Sequence, residues 1–178
     1  MLNRRAFLAG LAGAGGLAAG AAQGAALSGI ETASIRGTLD ASELGVQPGL
    51  YDDQSEAFAR VLDKAAERDA PVYLPPGDYV VSNLVLPRKL RLTGVPGASR
   101  ILYGGNGHLF LAEAADHLEI SGLLIDGANR WLGDHVDGLV TVRGARHLVI
   151  DNCSILGSGK HALALENVAG RIERSQIS

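Results

Sequence analysis

The chain has 178 residues, 47% of them apolar and 20% charged, which suits one folded domain and excludes a disordered chain. Its formal net charge of −3 lacks the basic balance of a nucleic-acid binder and leaves sugars open as partners. Cys153 is the single cysteine, so an intramolecular disulfide is excluded, and 24 glycines suit short strands joined by tight turns.

The first segment reads as an address. Asn3-Arg4-Arg5-Ala6-Phe7-Leu8 precedes a soft stretch of Ala and Gly that runs to Ala26. A paired Arg before Phe-Leu resembles a twin-arginine export signal, the alternatives being a Sec signal or a plain membrane anchor. Residues 1–26 are therefore expected to be a signal peptide, with cleavage after Ala21 or Ala26 both open. The Gly load makes this stretch a poor spanning helix, so no stable membrane span is expected after processing. The expected partner at this stage is the twin-arginine export machinery, and the expected location is periplasmic or extracellular. Losing residues 1–26 removes Arg4 and Arg5 and no acid, leaving 14 basic against 19 acidic residues.

Residues 27–50 read as a linker and an entry strand, punctuated by Gly45, Pro48 and Gly49. A cap helix is expected over 51–70. Asp53-Gln54-Ser55-Glu56 has the spacing of a capping box, with Asp in the place of Ser or Thr. Ala57, Phe58, Val61, Leu62, Ala65 and Ala66 then fall on one helical face, and Pro71 is expected to end it. Val72-Tyr73-Leu74 and Asp78-Tyr79-Val80-Val81 read as two strands around a Pro75-Pro76-Gly77 turn. Leu84-Val85-Leu86 and Leu90-Arg91-Leu92-Thr93-Gly94 continue the alternation.

A short repeat follows. Leu118-Glu119-Ile120 with Ile125 recurs as Leu148-Val149-Ile150 with Ile155, and again as Gly170-Arg171-Ile172 with Ile177. A unit this short cannot bury its apolar side alone, so it reads as one turn of a solenoid stacked on its neighbours. Leu109 and Leu111, Val140 and Val142, and Leu163 and Leu165 are expected to be matching inward strands. Cys153 occupies the place of Leu123 and Ser175, and is expected to be a small buried residue with an inert thiol. Arg143, Arg146, Arg171 and Arg174 flank inward strands and are expected on the solvated wall.

Asp52-Asp53-Gln54 at the helix start, the Val72–Tyr79 strand pair and the Leu90–Gly94 segment together resemble the opening of the pectate-lyase superfamily. The resemblance spans about residues 40–178. It implies an all-β fold, a right-handed parallel β-helix with an N-terminal amphipathic capping helix. With Arg4-Arg5 and the repeats, the chain resembles the twin-arginine-translocated repetitive proteins of that superfamily, a family without an assigned activity. Two details depart from the usual opening. Gly49-Leu50-Tyr51 stands where Gly-Asp-Gly is common, and Asp69-Ala70 where a Gly pair is common.

The spacing between repeats is uneven, and the excess lies between Ile125 and Leu139. Insertions in solenoids become loops on one face, often the binding face. Asp126, Asp134, His135 and Asp137 are the catalytic candidates. Arg130 and Trp131 are substrate-binding candidates, with Lys160 and His161 on the neighbouring turn. Sugar hydrolysis needs a pair of carboxylates, and eliminative cleavage of uronates needs a cation and a base. The resemblance implies these two chemistries, with Ca²⁺ as the hard cation that the carboxylates would take. Trp131 would stack on a sugar ring. The plain alternative is that Asp126-Gly127 and Asp137-Gly138 are turn pairs, in which Gly takes positive φ, and that Trp131 only pins the loop. Lys160 and His161 likewise read as solvated turn residues. Two functions therefore stay open, beside a third reading as a truncated, inactive fragment. One is an exported, polysaccharide-interacting protein with lyase or glycoside hydrolase chemistry. The other is a non-catalytic structural or adhesion-type solenoid of the cell envelope. The last repeat ends at Ser178 with no closing segment, so residues 51–178 are expected to be a solenoid incomplete at its C-terminus, with a bare apolar edge.

Overall fold

A computed structural model describes residues 37–178. The signal peptide expected over residues 1–26 lies outside the described residues, as does most of the linker before the entry strand.

Among the described residues, one α-helix, α1 (Ser55–Arg68), a 3-10 turn at Ser42–Leu44 and fifteen short strands follow in chain order. The strands are β1 (Leu39–Asp40), β2 (Val72–Tyr73), β3 (Gly77–Val81), β4 (Leu84–Val85), β5 (Lys89–Thr93), β6 (Ser99–Tyr103), β7 (Phe110–Glu113) and β8 (His117–Ser121). They continue as β9 (Leu124–Asp126), β10 (Gly138–Arg143), β11 (Leu148–Asp151), β12 (Ser154–Leu156), β13 (His161–Glu166), β14 (Gly170–Glu173) and β15 (Gln176–Ile177).

All the pairings are parallel, and they build three sheets. The strand orders are β1-β2-β5-β8-β11-β14, β13-β10-β7-β4 and β15-β12-β9-β6-β3. From β3 onward, successive strands visit the sheets in a fixed cyclic order, so equal positions of successive circuits lie side by side. Leu90, Leu118, Leu148 and Gly170 form one row, and Leu92, Ile120, Ile150 and Ile172 the next. Ile101, Ile125, Ile155 and Ile177 form the matching row of another sheet. These inward rows make a continuous core in which Leu92, Ile120, Ile125, Ile150 and Ile155 are at most 1% exposed. The repeated isoleucines therefore pair in the register expected from their spacing.

The corners repeat as well. Ala114, Gly144 and Asn167 take positive φ after β7, β10 and β13, and Gly122, Asn152 and Arg174 do so after β8, β11 and β14. Gly and Asn tolerate that conformation. Cys153, just past such a corner, is 2% exposed, and its thiol donates toward the Ile120 and Asp151 carbonyls.

Three local expectations are corrected. The helix spans Ser55–Arg68, with Gln54 as its N-cap. The Asp53 carboxylate accepts from Ser55 N at 2.9 Å and from the Ser55 hydroxyl, so the capping box does not form. Tyr51–Gln54 instead run beside β3, through a Leu50–Tyr79 bridge and a Gln54 N–H donated to the Val80 carbonyl. Asp69, at φ 49°, ends the helix in the place where a Gly is common, two residues before Pro71. Finally, Val140 and Val142 pair with Phe110 and Ala112, one residue beyond Leu109 and Leu111. Phe58, Val61, Leu62 and Ala65 bury the apolar face of α1 in the core, as its period predicts. Leu165, Ile172 and Ile177, in the final strand of each sheet, are 41–43% exposed.

Candidate functional site

The segment between β9 and β10 is the one long excursion from the circuit, and it is pinned at each end. Asp126 accepts from the Arg100 guanidinium at 2.7 Å and from Ala128 N at 2.7 Å. The Arg130 guanidinium donates to the Gly104 carbonyl, and Gly133 N to the Gly107 carbonyl at 3.1 Å. Lys160, on the turn before β13, donates from Nζ to the carbonyls of Gly133, Asp134 and Val136 at 2.9, 3.0 and 3.1 Å. Asp137 closes the segment with an ion pair to Arg143 at 2.8 Å.

The two Asp-Gly pairs behave differently from the turn expectation. Asp126 does cap its turn, but Ala128 and Asn129 take the positive φ. Gly127 is required for space, because a Cβ there would lie 2.3 Å from the Gly157 carbonyl oxygen. Gly138 opens β10, where a Cβ would stand 3.0 Å from Ala164.

Asp134, Asp137, Lys160 and His161 line an open groove of about 420 Å³. It adjoins a second depression, of about 320 Å³, that shares Asp137 and His161 and extends over Thr141, Arg143 and Glu166 on the outer face of β10 and β13. Arg143 sits among three carboxylates there, Asp137 at 2.8 Å, Glu113 at 3.6 Å and Glu166 at 3.7 Å. The hydrogen bond to Asp137, helped by the charges of Glu113 and Glu166, holds its guanidinium more firmly protonated than usual. Trp131 stands 67% exposed beside this region, with the Lys160 ammonium 5.4 Å from its ring centroid.

Of the sequence candidates, Asp134, Asp137, Lys160 and His161 thus meet at one groove, with Trp131 next to Lys160. Asp126 is set apart with Arg100. Arg130 lines a different depression. His135 is exposed and makes no hydrogen bond or ion pair among the described residues. Lys160 is not the solvated turn residue expected, since its three carbonyl bonds fasten the loop. The Arg143 cluster was legible but unread: Glu113, Arg143 and Glu166 hold the same repeat position with alternating charge. Arg146 and Arg174 do lie on the wall, paired with Asp116 and Asp151.

Chemically, the groove offers two carboxylates and an imidazole that carry no committed basic partner except Arg143 on Asp137. Those groups can accept and donate protons or bind hydroxyls. Among the described residues no group of three or more His, Cys, Asp or Glu side chains could hold a metal ion.

No family model and no curated protein matches the chain. Among solved structures, ORF18 of Geobacillus virus E2 is similar over 71% of this chain, at TM-score 0.59 and 19% identity. The chain spans only 27% of that viral protein. A candidate glycosyl hydrolase from Parabacteroides merdae is similar at TM-score 0.54 and 12% identity, over 78% of this chain and 81% of its own. At these identities both likenesses concern the fold, here an all-β fold of parallel strands with one helix.

Proposed function

We propose that this chain is an exported right-handed parallel β-helix protein, akin to the twin-arginine-translocated repetitive proteins of the pectate-lyase-like superfamily, that binds polysaccharide on the face carrying residues 126–138. The cyclic visiting of three parallel sheets and the helix covering the first circuits support the architecture. The observation that carries the binding reading is the groove of Asp134, Asp137, Lys160 and His161 beside Trp131. An indole left 67% exposed on a pinned loop contributes little to the core and offers a flat apolar face to a sugar ring. Rigid scaffolds commonly carry their binding residues on such loops. The glycosyl hydrolase candidate among the structural neighbours is compatible with a sugar partner.

In the catalytic form of this reading, Asp134 and Asp137 divide the acid and base work, with His161 as the alternative base. A non-catalytic envelope solenoid is favoured by one specific observation. Lys160, Arg130 and Asp126 are all engaged in holding the loop.

The test incubates the full chain with polygalacturonate, alginate, xylan and chitin, with and without Ca²⁺, while following Trp131 emission and new chain ends. New ends that vanish in Asp134→Asn or Asp137→Asn support an enzyme. Emission changes without products support the binding module. No emission change and no products with any polymer overturn the sugar reading. Export is tested separately by fusing residues 1–26 to a reporter, where replacing Arg4 and Arg5 by Lys must abolish its periplasmic appearance.

A further inference from the structure

Tyr51 and Trp131 are the two most exposed large apolar side chains among the described residues, at 85% and 67%. Both are aromatic, and the sequence reading gave Tyr51 no role. Its backbone is fixed: Leu50 bridges to Tyr79 on one side, and Gln54 N donates to the Val80 carbonyl at 2.8 Å on the other. A side chain so exposed on a fixed backbone adds almost nothing to the core, so packing does not explain it.

Tyr51 lines a depression of about 300 Å³ together with Asp53, Asn83, Asn106 and Arg130. Arg130 precedes Trp131 in the loop that also walls the Asp134–Asp137 groove. Gly104, Gly105 and Asn106, from a glycine-rich turn that ends at Gly107, also line the Tyr51 depression. That turn is held by Tyr103, whose hydroxyl donates to the Gly107 carbonyl at 2.6 Å, and by Asn83, which donates to the Asn106 carbonyl at 2.8 Å. The Asn106 carboxamide makes no hydrogen bond among the described residues, and the second Asp53 oxygen is also free of one. Arg130 uses Nη1 on Gly104, and its Nη2 makes no hydrogen bond among the described residues. A flat aromatic face beside a carboxamide, a carboxylate oxygen and a guanidinium is the chemistry that recognises a hydroxyl-rich sugar ring.

We infer that the depression between Tyr51 and Arg130 is a second saccharide subsite, so that a long glycan occupies both sides of the 126–138 loop with Trp131 between them. This rests on the polysaccharide reading of the Asp134–Asp137 groove and extends it to a part of the chain that precedes α1. The subsite makes the protein selective for chain length, because a short oligosaccharide fills only one side.

The test measures binding of xylan, chitin and galacturonate oligosaccharides of two and of six units by calorimetry. The variants are Tyr51→Ala, Tyr51→Trp and Trp131→Ala. Tyr51→Ala is expected to weaken binding of the six-unit chain about five- to tenfold, the loss of one aromatic contact. It should leave two-unit binding and the melting temperature unchanged, and Tyr51→Trp should restore the affinity. Trp131→Ala should weaken both lengths. Unchanged six-unit affinity in Tyr51→Ala, with weakening in Trp131→Ala, overturns the second subsite and leaves the loop-groove reading standing. No binding of any oligosaccharide by the unaltered chain overturns both.

Discussion

The Lys160 ammonium lies 2.9 Å from the Gly133 carbonyl oxygen and fastens one circuit to the long loop of the circuit before it. Two further carbonyls, of Asp134 and Val136, complete its shell. Three convergent carbonyls left without this donor would have to find water. Lys160→Met is therefore expected to destabilise the chain by about 1–3 kcal/mol and to free the loop. Urea midpoints report the first effect. Faster tryptic cleavage after Arg130 reports the second, and a cleavage rate equal to the unaltered chain would remove Lys160 as the fastener.

Ile150 and Ile172 are neighbours in one inward row, yet they are 1% and 41% exposed. The same Ile→Ala change should therefore cost different amounts. At Ile150 it leaves a cavity between two circuits, for about 2–5 kcal/mol. At Ile172 the side chain is half in water already, and about 1 kcal/mol is expected. Equal losses in denaturant titrations would refute the register of the row.

His108 has its Nε2 buried without a hydrogen-bond partner among the described residues, and burial pushes its pKa below the usual 6.5. A depressed value for a base means that the unfolded chain takes the proton first. The stabilising contribution is complete above pH 6.5 and is lost as pH falls through the lower folded value. Denaturant midpoints should drop on acidification below pH 6.5, and the drop should shrink in His108→Phe. An identical acid slope in that variant would assign the effect to other groups.

Burial raises the Cys153 thiol above its ordinary value of 9.0. The folded chain then holds this proton more tightly than the unfolded chain. Stability from this group is full below pH 9.0 and is lost as pH rises through the higher folded value. A disulfide reagent at neutral pH should label Cys153 only at the rate of unfolding, and at once in strong denaturant. Rapid labelling of the native chain would place the thiol outside the core.

Much of the fold was readable because an inward strand row needs one apolar residue per circuit at constant spacing. Ile120, Ile150 and Ile172, and likewise Ile125, Ile155 and Ile177, carry that spacing openly. The β7 row was misplaced by one residue because Leu109, Phe110 and Leu111 are all apolar, and an unbroken apolar run has no period of two to read. The helix start was placed too early for a similar reason. Asp53 has capping chemistry, but the pairing of residues 50–54 with β3 competes for that backbone, and only the folded chain decides between them.

The sequence by itself determined the circuit, its core rows and the position of the long loop, since these depend on local period and on burial of side chains at fixed intervals. It also singled out Asp134, Asp137, Lys160 and His161, although it gave no reason to separate them from Asp126 or His135. The tertiary structure decided which of these meet. Residues from adjacent circuits lie side by side only when the sheets form, and that brings Lys160 under the carbonyls of Gly133, Asp134 and Val136. Tyr51, far from Arg130 along the chain, shares a depression with it for the same reason: parallel stacking converts sequence distance of whole circuits into neighbouring strands.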